Sequence, residues 1–428
     1  MQKQQRIVIV GGGVAGIEIA TALGRRWRRW PGDPQVILVD NDTAHVWKPM
    51  LHTIAAGTRD VSQQQTTYLA QARDAGFRYE PGELRGLDRS AREIELAAIH
   101  AADGRVLMPA RRLGYDRLIL AVGSQTNDFR TPGVAAHCFR IDSRRLAIAF
   151  NQEVRIRMLQ SMTRQAPLSI AIIGGGATGV ELAAELVQLA QTADAYGIEG
   201  LATRMSITLI EAGPRLLPAF PEDISAATGA RLHRLDVRVM LNTRVKAATA
   251  DGLVLDNGTL PASLKVWAAG VKAPNLLADL DGLEVNANNQ LRILGNLQTT
   301  RDASIHAVGD CACLALEGRV LPPTAQVAHQ QARHLIRTLP SILAGKRAPD
   351  FRYRDFGALV SLGDYDAFGS LGQFGFFKGG TIRGRLAQFS HTLLYRSHQA
   401  RLHGFWRGGL RWWVDRLNAR LRAPIRLD

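Results

Sequence analysis

Two runs of glycine carry the first chemical signal. Gly11-Gly12-Gly13-Val14-Ala15-Gly16 follows the apolar β-branched run Arg6 to Val10, and Gly174-Gly175-Gly176-Ala177-Thr178-Gly179 follows a similar run from Ser169 to Ile173. A strand that ends in such a turn and opens a helix presents backbone N–H groups to an anion, here the pyrophosphate of a dinucleotide. Gly11 makes the tight turn, Gly13 leaves room for the pyrophosphate, and Gly16 lets the helix approach its strand. Gly174, Gly176 and Gly179 repeat these roles 163 residues later. Each unit ends its next apolar run in an acid, Asp40 after Val36 to Val39 and Glu211 after Met205 to Ile210. A carboxylate there accepts a hydrogen bond from a ribose hydroxyl. Because it favours a free 2′-OH over a 2′-phosphate, Glu211 predicts NADH rather than NADPH, and Arg215 four residues on weakens that exclusion.

A second candidate pair is amide rather than acid. Pro322-Pro323-Thr324 caps a predicted helix from Ala325 towards Leu335, on which Gln326 and Gln330 share a face at i and i+4. Two amides aimed one way can hydrogen-bond a carbonyl; by spacing alone they are as consistent with two solvated surface glutamines.

The elements that must position these residues form an α/β chain with two Rossmann-like dinucleotide-binding domains, as in glutathione-reductase-like flavoproteins, followed by a C-terminal amphipathic membrane-anchoring region. Strands ending at Gly123, Gly270 and Asp310 point those residues at a shared cofactor side. Asn41 to His52, with Trp47 and Pro49, reads as an apolar loop. Gln65 to Ala75 reads as a helix closed by Gly76, Glu93 to Leu96 as part of a small antiparallel insertion, and residues 143 to 164 as a helix. The first boundary falls at Thr131-Pro132-Gly133.

Composition sets the outer limits. With 428 residues, 46% of them hydrophobic, the chain holds more than one core, and its formal charge of +15 predicts attraction to a polyanion: nucleic acid, an anionic membrane face or an acidic partner. Cys138, Cys311 and Cys313 make no disulfide framework, no Cys and His stand at metal-ligand spacing, and a reducing cytoplasm fits. No apolar run is long enough to span a bilayer, and the N-terminus is a strand followed by glycines and Glu18 rather than a signal peptide.

Arginine is concentrated at the end of the chain. Residues 383–428 hold ten Arg against Asp415 and Asp428, a formal +8 and over half the excess of the whole chain. On one helical wheel Leu402, Phe405, Trp406, Leu410, Trp413, Leu417 and Leu421 gather on one side and Arg401, Arg407, Arg411 and Arg422 on the other. This pattern predicts an anchor lying on an anionic membrane surface. The same face could instead pack on the protein or close a homodimer.

Two dinucleotides in one chain imply electron transfer between them, which is mostly orientation rather than acid–base work. No cysteine precedes Cys138, which argues against a dithiol relay near the first unit, and a cationic aromatic tail suits an acceptor dissolved in the bilayer. At these residues the chain resembles the type II NADH dehydrogenases, single-chain NADH:quinone oxidoreductases that do not pump protons. The resemblance runs through Trp47-Lys48-Pro49-Met50-Leu51-His52, Ala121-Val122-Gly123-Ser124, Ala177-Thr178-Gly179-Val180-Glu181-Leu182, Ala268-Ala269-Gly270-Val271, Val308-Gly309-Asp310-Cys311-Ala312 and Ala325-Gln326-Val327-Ala328-His329-Gln330. It continues from Leu394-Tyr395-Arg396 to Leu410, like the bacterial membrane-bound members.

That resemblance implies FAD held by Gly11, Gly13, Gly16, Asp40, Lys48 and Asp310, with Leu84 near the adenine and Asp310 on the ribityl chain, and NADH held by Gly174, Gly176, Gly179 and Glu211. It implies that Glu181 lies beside the nicotinamide, where a helix N-terminal carboxylate is the plainer reading, that Gln326 and Gln330 face a membrane quinone, and that Lys378 lies near the quinone mouth. The implied domains are 1–130 (FAD, first part), 131–270 (NADH), 271–350 (FAD, second part, with the quinone-side helix) and 351–428 (membrane association through residues 383–428). The expected location is peripheral, on the cytoplasmic face of the inner membrane. Two rivals remain at this stage. A sulfide:quinone oxidoreductase would need cysteines flanking the flavin; a flavoprotein binding nucleic acid through its basic surface is the other, and nucleic acid is not expected.

Overall fold

The computed structural model describes residues 4–421 apart from Pro31, Gln165, 197–199, Glu317, Asp364 and 373–379. Its chain divides into two compact units, one built from 1–48, 65–125 and 272–353 and the other from 49–64, 126–271 and 354–428.

In the first unit the apolar run Arg6–Val10 is a central strand, paired in parallel with Arg117–Leu120 on one side and Gln35–Asp40 on the other. Ile7, Val8 and Ile9 are fully buried, which is why the strand is apolar from Ile7 to Val10 instead of alternating. Asp302–Ala307 and Arg78–Pro81 extend the sheet in parallel, and Gln298–Thr299 closes it antiparallel, giving six strands. The first glycine helix, Val14–Trp27, packs against the glutamine helix, Ala325–Leu343. Thr324 caps the latter as expected, its hydroxyl accepting the N–H of Val327 at 3.3 Å. Leu84–Asp88, Glu93–Leu96 and Arg111–Gly114 form the small antiparallel insertion.

The second unit repeats the plan with four parallel strands, in the order Val237–Met240, Met205–Ile210, Leu168–Ile173, Leu264–Trp267. The second glycine helix, Ala177–Ala195, opens after its turn, and Arg144–Arg164 is helical as the pattern predicts.

Several expectations differ from the structure. The stretch from Asn41 to His52 is not a loop: Ala44–Val46 is a strand paired with Gln65–Thr67, so the predicted helix starts only at Tyr68, and Leu51–Ala56 is a helix buried at every position. That helix ends on Gly57, in the left-handed region at φ +79°. It packs on Arg144–Arg164 and on the second glycine helix, so residues 49–64 join the second unit rather than domain 1–130. The two compact units divide the chain between Gln125 and Thr126, against the expected 1–130, and 354–428 falls in the second unit.

The tail is two helices, not one. Gly357–Leu362, Asp366–Leu371 and Thr381–Arg383 form an antiparallel sheet, then come Arg385–His403 and Phe405–Leu421, separated by Gly404 at φ +84°. Leu402, expected on the exposed stripe, is fully buried, whereas Leu386, Phe389, Leu393, Phe405, Trp406, Leu410, Trp413 and Leu421 are mostly exposed. Arg396 and Asp415 join the two helices at 2.8 Å. Among the described residues no helix is long and apolar enough to cross a membrane. Phe374, Phe376, Phe377, Lys378, Arg422 and the centre of the Tyr196 to Gly200 loop lie outside the described residues.

Candidate active site

Each glycine turn shows why its residues have no side chains. A Cβ on Gly11 would run into the carbonyl oxygen of Ala121, and one on Gly16 into the Gly11 carbonyl. In the second unit Gly174 would meet the backbone of Ala268 and Ala269 within 2.8 Å, and Gly179 the Gly174 carbonyl. Gly13 and Gly176 differ: a Cβ on either meets nothing within 4 Å. The outer glycines are demanded by the chain's own packing and the middle one by open space, at the N-terminus of a helix with no side-chain cap. Such a cradle fits a pyrophosphate.

The two acids do the same thing in both units. Asp40 Oδ2 accepts the N–H of Gly12 at 2.5 Å and its Oδ1 the N–H of Asp42 at 2.8 Å. Glu211 Oε2 accepts the N–H of Gly175 and its Oε1 that of Gly213, both at 2.7 Å. Each carboxylate thus ties its own turn to the glycine loop and keeps lone pairs for a ribose. Burial pushes Asp40 up to about 6 against the opposing effect of these N–H donors. Two residues the spacing did not reveal hold the other side of the Gly12 peptide: the Tyr68 hydroxyl donates to the Gly12 carbonyl at 2.9 Å and His45 Nδ1 lies 2.8 Å from it. Both lie outside the glycine turn and its closing acid, so the motif does not contain them.

Arg215, which the sequence places close enough to weaken a Glu211 preference, is held by backbone carbonyls. Its guanidinium donates to the backbone carbonyls of Leu217, Pro218 and Phe220, which commits it to the following loop.

Asp310 follows the strand Asp302–Ala307 and sits in a polar chain. Lys48 Nζ donates to the Ser124 hydroxyl at 2.8 Å and to its carbonyl at 2.9 Å, and the Ser124 hydroxyl donates to Asp310 Oδ2 at 2.7 Å. Gln331, buried and also missed by the motif reading, accepts the Gly309 N–H at 2.6 Å and so ties this turn to the glutamine helix. Gly123 is left-handed at φ +71° with open space where a Cβ would be, as a close ligand approach requires. Gly270, at φ +65°, is instead covered by its own chain, since a Cβ would meet the Phe129 ring at 2.6 Å. Leu84 is buried opposite Leu96 in the insertion sheet.

Glu181 lies in the second turn of the second glycine helix and is buried. Its Oε1 accepts the N–H of Ser361 at 3.0 Å, and its Oε2 lies 3.3 Å from Nδ1 of the buried His52. Burial, helped by Glu185 one helical turn on, pushes the Glu181 carboxyl up to about 8 despite the Ser361 bond. The Thr58 hydroxyl donates to Glu185. Gln326 and Gln330 share a face, 3.5 Å apart through Nε2 and Oε1, and the Tyr353 hydroxyl donates to Gln326 at 3.0 Å.

A duplicated glycine turn, each copy locked by an acid on the next strand, defines a protein with two dinucleotide-binding units. Residues 5–332 match the family model for pyridine nucleotide-disulphide oxidoreductases. The type II NADH:quinone oxidoreductase of Haemophilus influenzae is 40% identical, covering 99% of this chain and all of that one. That of Staphylococcus saprophyticus is 26% identical over 92% of this chain and 94% of its own. In fold, the NADH-bound NDH2 of Plasmodium falciparum superposes with a TM-score of 0.83 at 20% identity, covering 99% of both chains. The sulfide:quinone oxidoreductase of Aquifex aeolicus reaches 0.70 at 17%, covering 94% and 92%. The chain belongs to the pyridine nucleotide-disulphide oxidoreductases and, within them, to the type II NADH:quinone oxidoreductases.

Proposed function

We propose that this protein oxidises NADH and passes two electrons through FAD to a quinone dissolved in the membrane, without pumping protons. The observation that carries the reading is the paired lock of Asp40 on Gly12 and Glu211 on Gly175, one dinucleotide cradle in each unit.

FAD, bound in the first cradle, supplies a two-electron carrier between a hydride donor and a quinone. Gly11, Gly13 and Gly16 offer its pyrophosphate backbone N–H groups, Asp40 accepts from its ribose, and the Lys48, Ser124, Asp310 chain orients the Asp310 carboxylate for the ribityl hydroxyls. Gly174, Gly176, Gly179 and Glu211 do the same for NADH, with Glu211 selecting the free 2′-OH. Glu181 holds its proton at neutral pH and is the acid available beside the nicotinamide. Gln326 and Gln330 donate amide N–H groups to a quinone carbonyl, with Tyr353 holding Gln326 in orientation.

The exposed apolar residues of Arg385–His403 and Phe405–Leu421, among arginines, support a monotopic anchor on an anionic bilayer, at the cytoplasmic face. The same surface could join two copies, and binding to vesicles rather than dimerisation in detergent-free buffer distinguishes the two. The deciding experiment is anaerobic. NADH bleaches the yellow chromophore of the purified protein, and a quinone restores it; protein that carries no flavin and takes none up refutes the proposal. Bleaching without recolouring by quinone would leave NADH oxidation and remove the acceptor.

A further inference from the structure

Glu18 and Glu181 stand 163 residues apart, the interval that also separates Gly11 from Gly174. Each is therefore the second residue after the last glycine of its turn. Both are buried, and each meets a histidine from elsewhere in its own unit: Glu181 meets His52, and Glu18 Oε2 lies 2.6 Å from His329 Nδ1. The proposed mechanism uses Glu181 and leaves Glu18 without a task.

His329 stands on the glutamine helix between Gln326 and Gln330. Its side chain is 24% exposed, whereas that of Glu18 is 3% exposed. A carboxylate accepts, so the contact with Glu18 takes its proton from Nδ1 and leaves Nε2 as the nitrogen that can exchange one. Other charged groups lie on the elements packed around it: Arg25 and Arg26 on the first glycine helix, Asp310 in the turn beside it, and Arg333, His334 and Arg337 on its own helix. Of these elements, it is the first glycine helix that supplies the 2.6 Å partner, Glu18.

We propose that His329 gives the quinone its second proton, with Glu18 as the positioning residue that orients the ring through the 2.6 Å contact. This deepens the reading of Gln326 and Gln330 as the quinone side and rests on it. Reduction of a quinone to a quinol consumes two electrons and two protons. The hydride of NADH accounts for both electrons and one proton, and the other proton comes from water. The doubly protonated ring breaks its Nε2–H bond as the quinone oxygen forms O–H, leaving a neutral ring still hydrogen-bonded to Glu18 through Nδ1. Its exposed edge then takes a proton back from solvent.

The test separates the two half-reactions on the holoenzyme. Flavin reduced anaerobically with NADH is mixed with a short-tailed water-soluble quinone, and recolouring is followed from about pH 5 to 9. His329→Gln slows recolouring by about 100-fold and bleaching by NADH by far less. Glu18→Gln slows recolouring by about 10-fold, enlarges its D2O effect and leaves bleaching by NADH within about twofold. In the parent, recolouring slows in D2O. Equal slowing of both half-reactions in His329→Gln, unslowed recolouring in Glu18→Gln, or no D2O effect on the parent overturns the proposal. Should His329→Gln fail to hold flavin, the Glu18→Gln rates and the D2O result decide it. A parent that NADH does not bleach, or that quinone does not recolour, refutes the proposed function itself and not this step.

Discussion

Glu181 Oε2 lies 3.3 Å from His52 Nδ1 in the second unit, and both side chains are less than a tenth exposed. A carboxyl that burial raises to about 8 from an ordinary 4.5 binds its proton more tightly folded than unfolded. Its contribution to stability is therefore full below about pH 4.5 and is lost as pH rises through 8. Glu181→Gln keeps an acceptor for the Ser361 N–H and has no proton to lose. The variant should gain on the parent by up to a few kcal/mol between about pH 5 and 9 in urea unfolding. An offset that does not change with pH would mean that Glu181 ionises normally.

His306 predicts the opposite slope. It is fully buried on the strand Asp302–Ala307, neither ring nitrogen has a hydrogen-bond partner among the described residues, and burial pulls it down to about 3 from 6.5. Stability from the neutral ring is complete above pH 6.5 and drains away as pH falls towards 3. His306→Leu should raise Tm relative to the parent more at about pH 5 than at about pH 8, and a uniform difference would count against the buried neutral ring.

The glycines of the first turn separate packing from binding. Gly16→Ala forces a Cβ into the Gly11 carbonyl and should destabilise by about 3 kcal/mol or more. Gly13→Ala meets open space, so it should fold within about 1 kcal/mol of the parent while its flavin content drops. Full flavin occupancy in well-folded Gly13→Ala would remove the pyrophosphate from this turn.

Glu211→Gln keeps one of the two acceptors that hold Gly175 and Gly213 and removes the charge that repels a 2′-phosphate. The preference for NADH over NADPH should narrow by about 10-fold, read as the ratio of kcat/KM values. Because Arg215 is bonded to three carbonyls, Arg215→Ala should leave that ratio nearly unchanged and loosen the 217–220 loop.

Trp406 and Trp413 are 85% and 60% exposed on the last described helix. Changing both to Ser should weaken binding to anionic vesicles by about 100-fold, while NADH-dependent reduction of a water-soluble dye persists. Joint loss of both properties would mean that these rings pack into the fold.

The local plan was legible wherever a short run of residues carries its own physical reason. The strand Arg6–Val10, the glycines after it, Asp40, and their second copy ending at Glu211 need no distant partner to be recognised. Chain geometry leaves few ways to bring a helix N-terminus close to a strand and an anion. What surrounds those turns depended on packing between segments far apart in the chain. Tyr68 and His45 hold Gly12, Gln331 holds Gly309, and His329 reaches Glu18 across 311 residues of sequence. No periodicity records such meetings. The helix Leu51–Ala56 read as a loop because Pro49 interrupts a short run, although Leu51, Ile54 and Ala55 share a buried face. The tail is not a single helix because Gly404 takes a positive φ with an extended ψ, which a helical wheel does not register. Residue type and spacing by themselves determined two nucleotide cradles and the acids that close them; only tertiary packing decided which carboxylates lie buried beside a histidine, because burial and charge pairing are properties of contacts rather than of order along the chain.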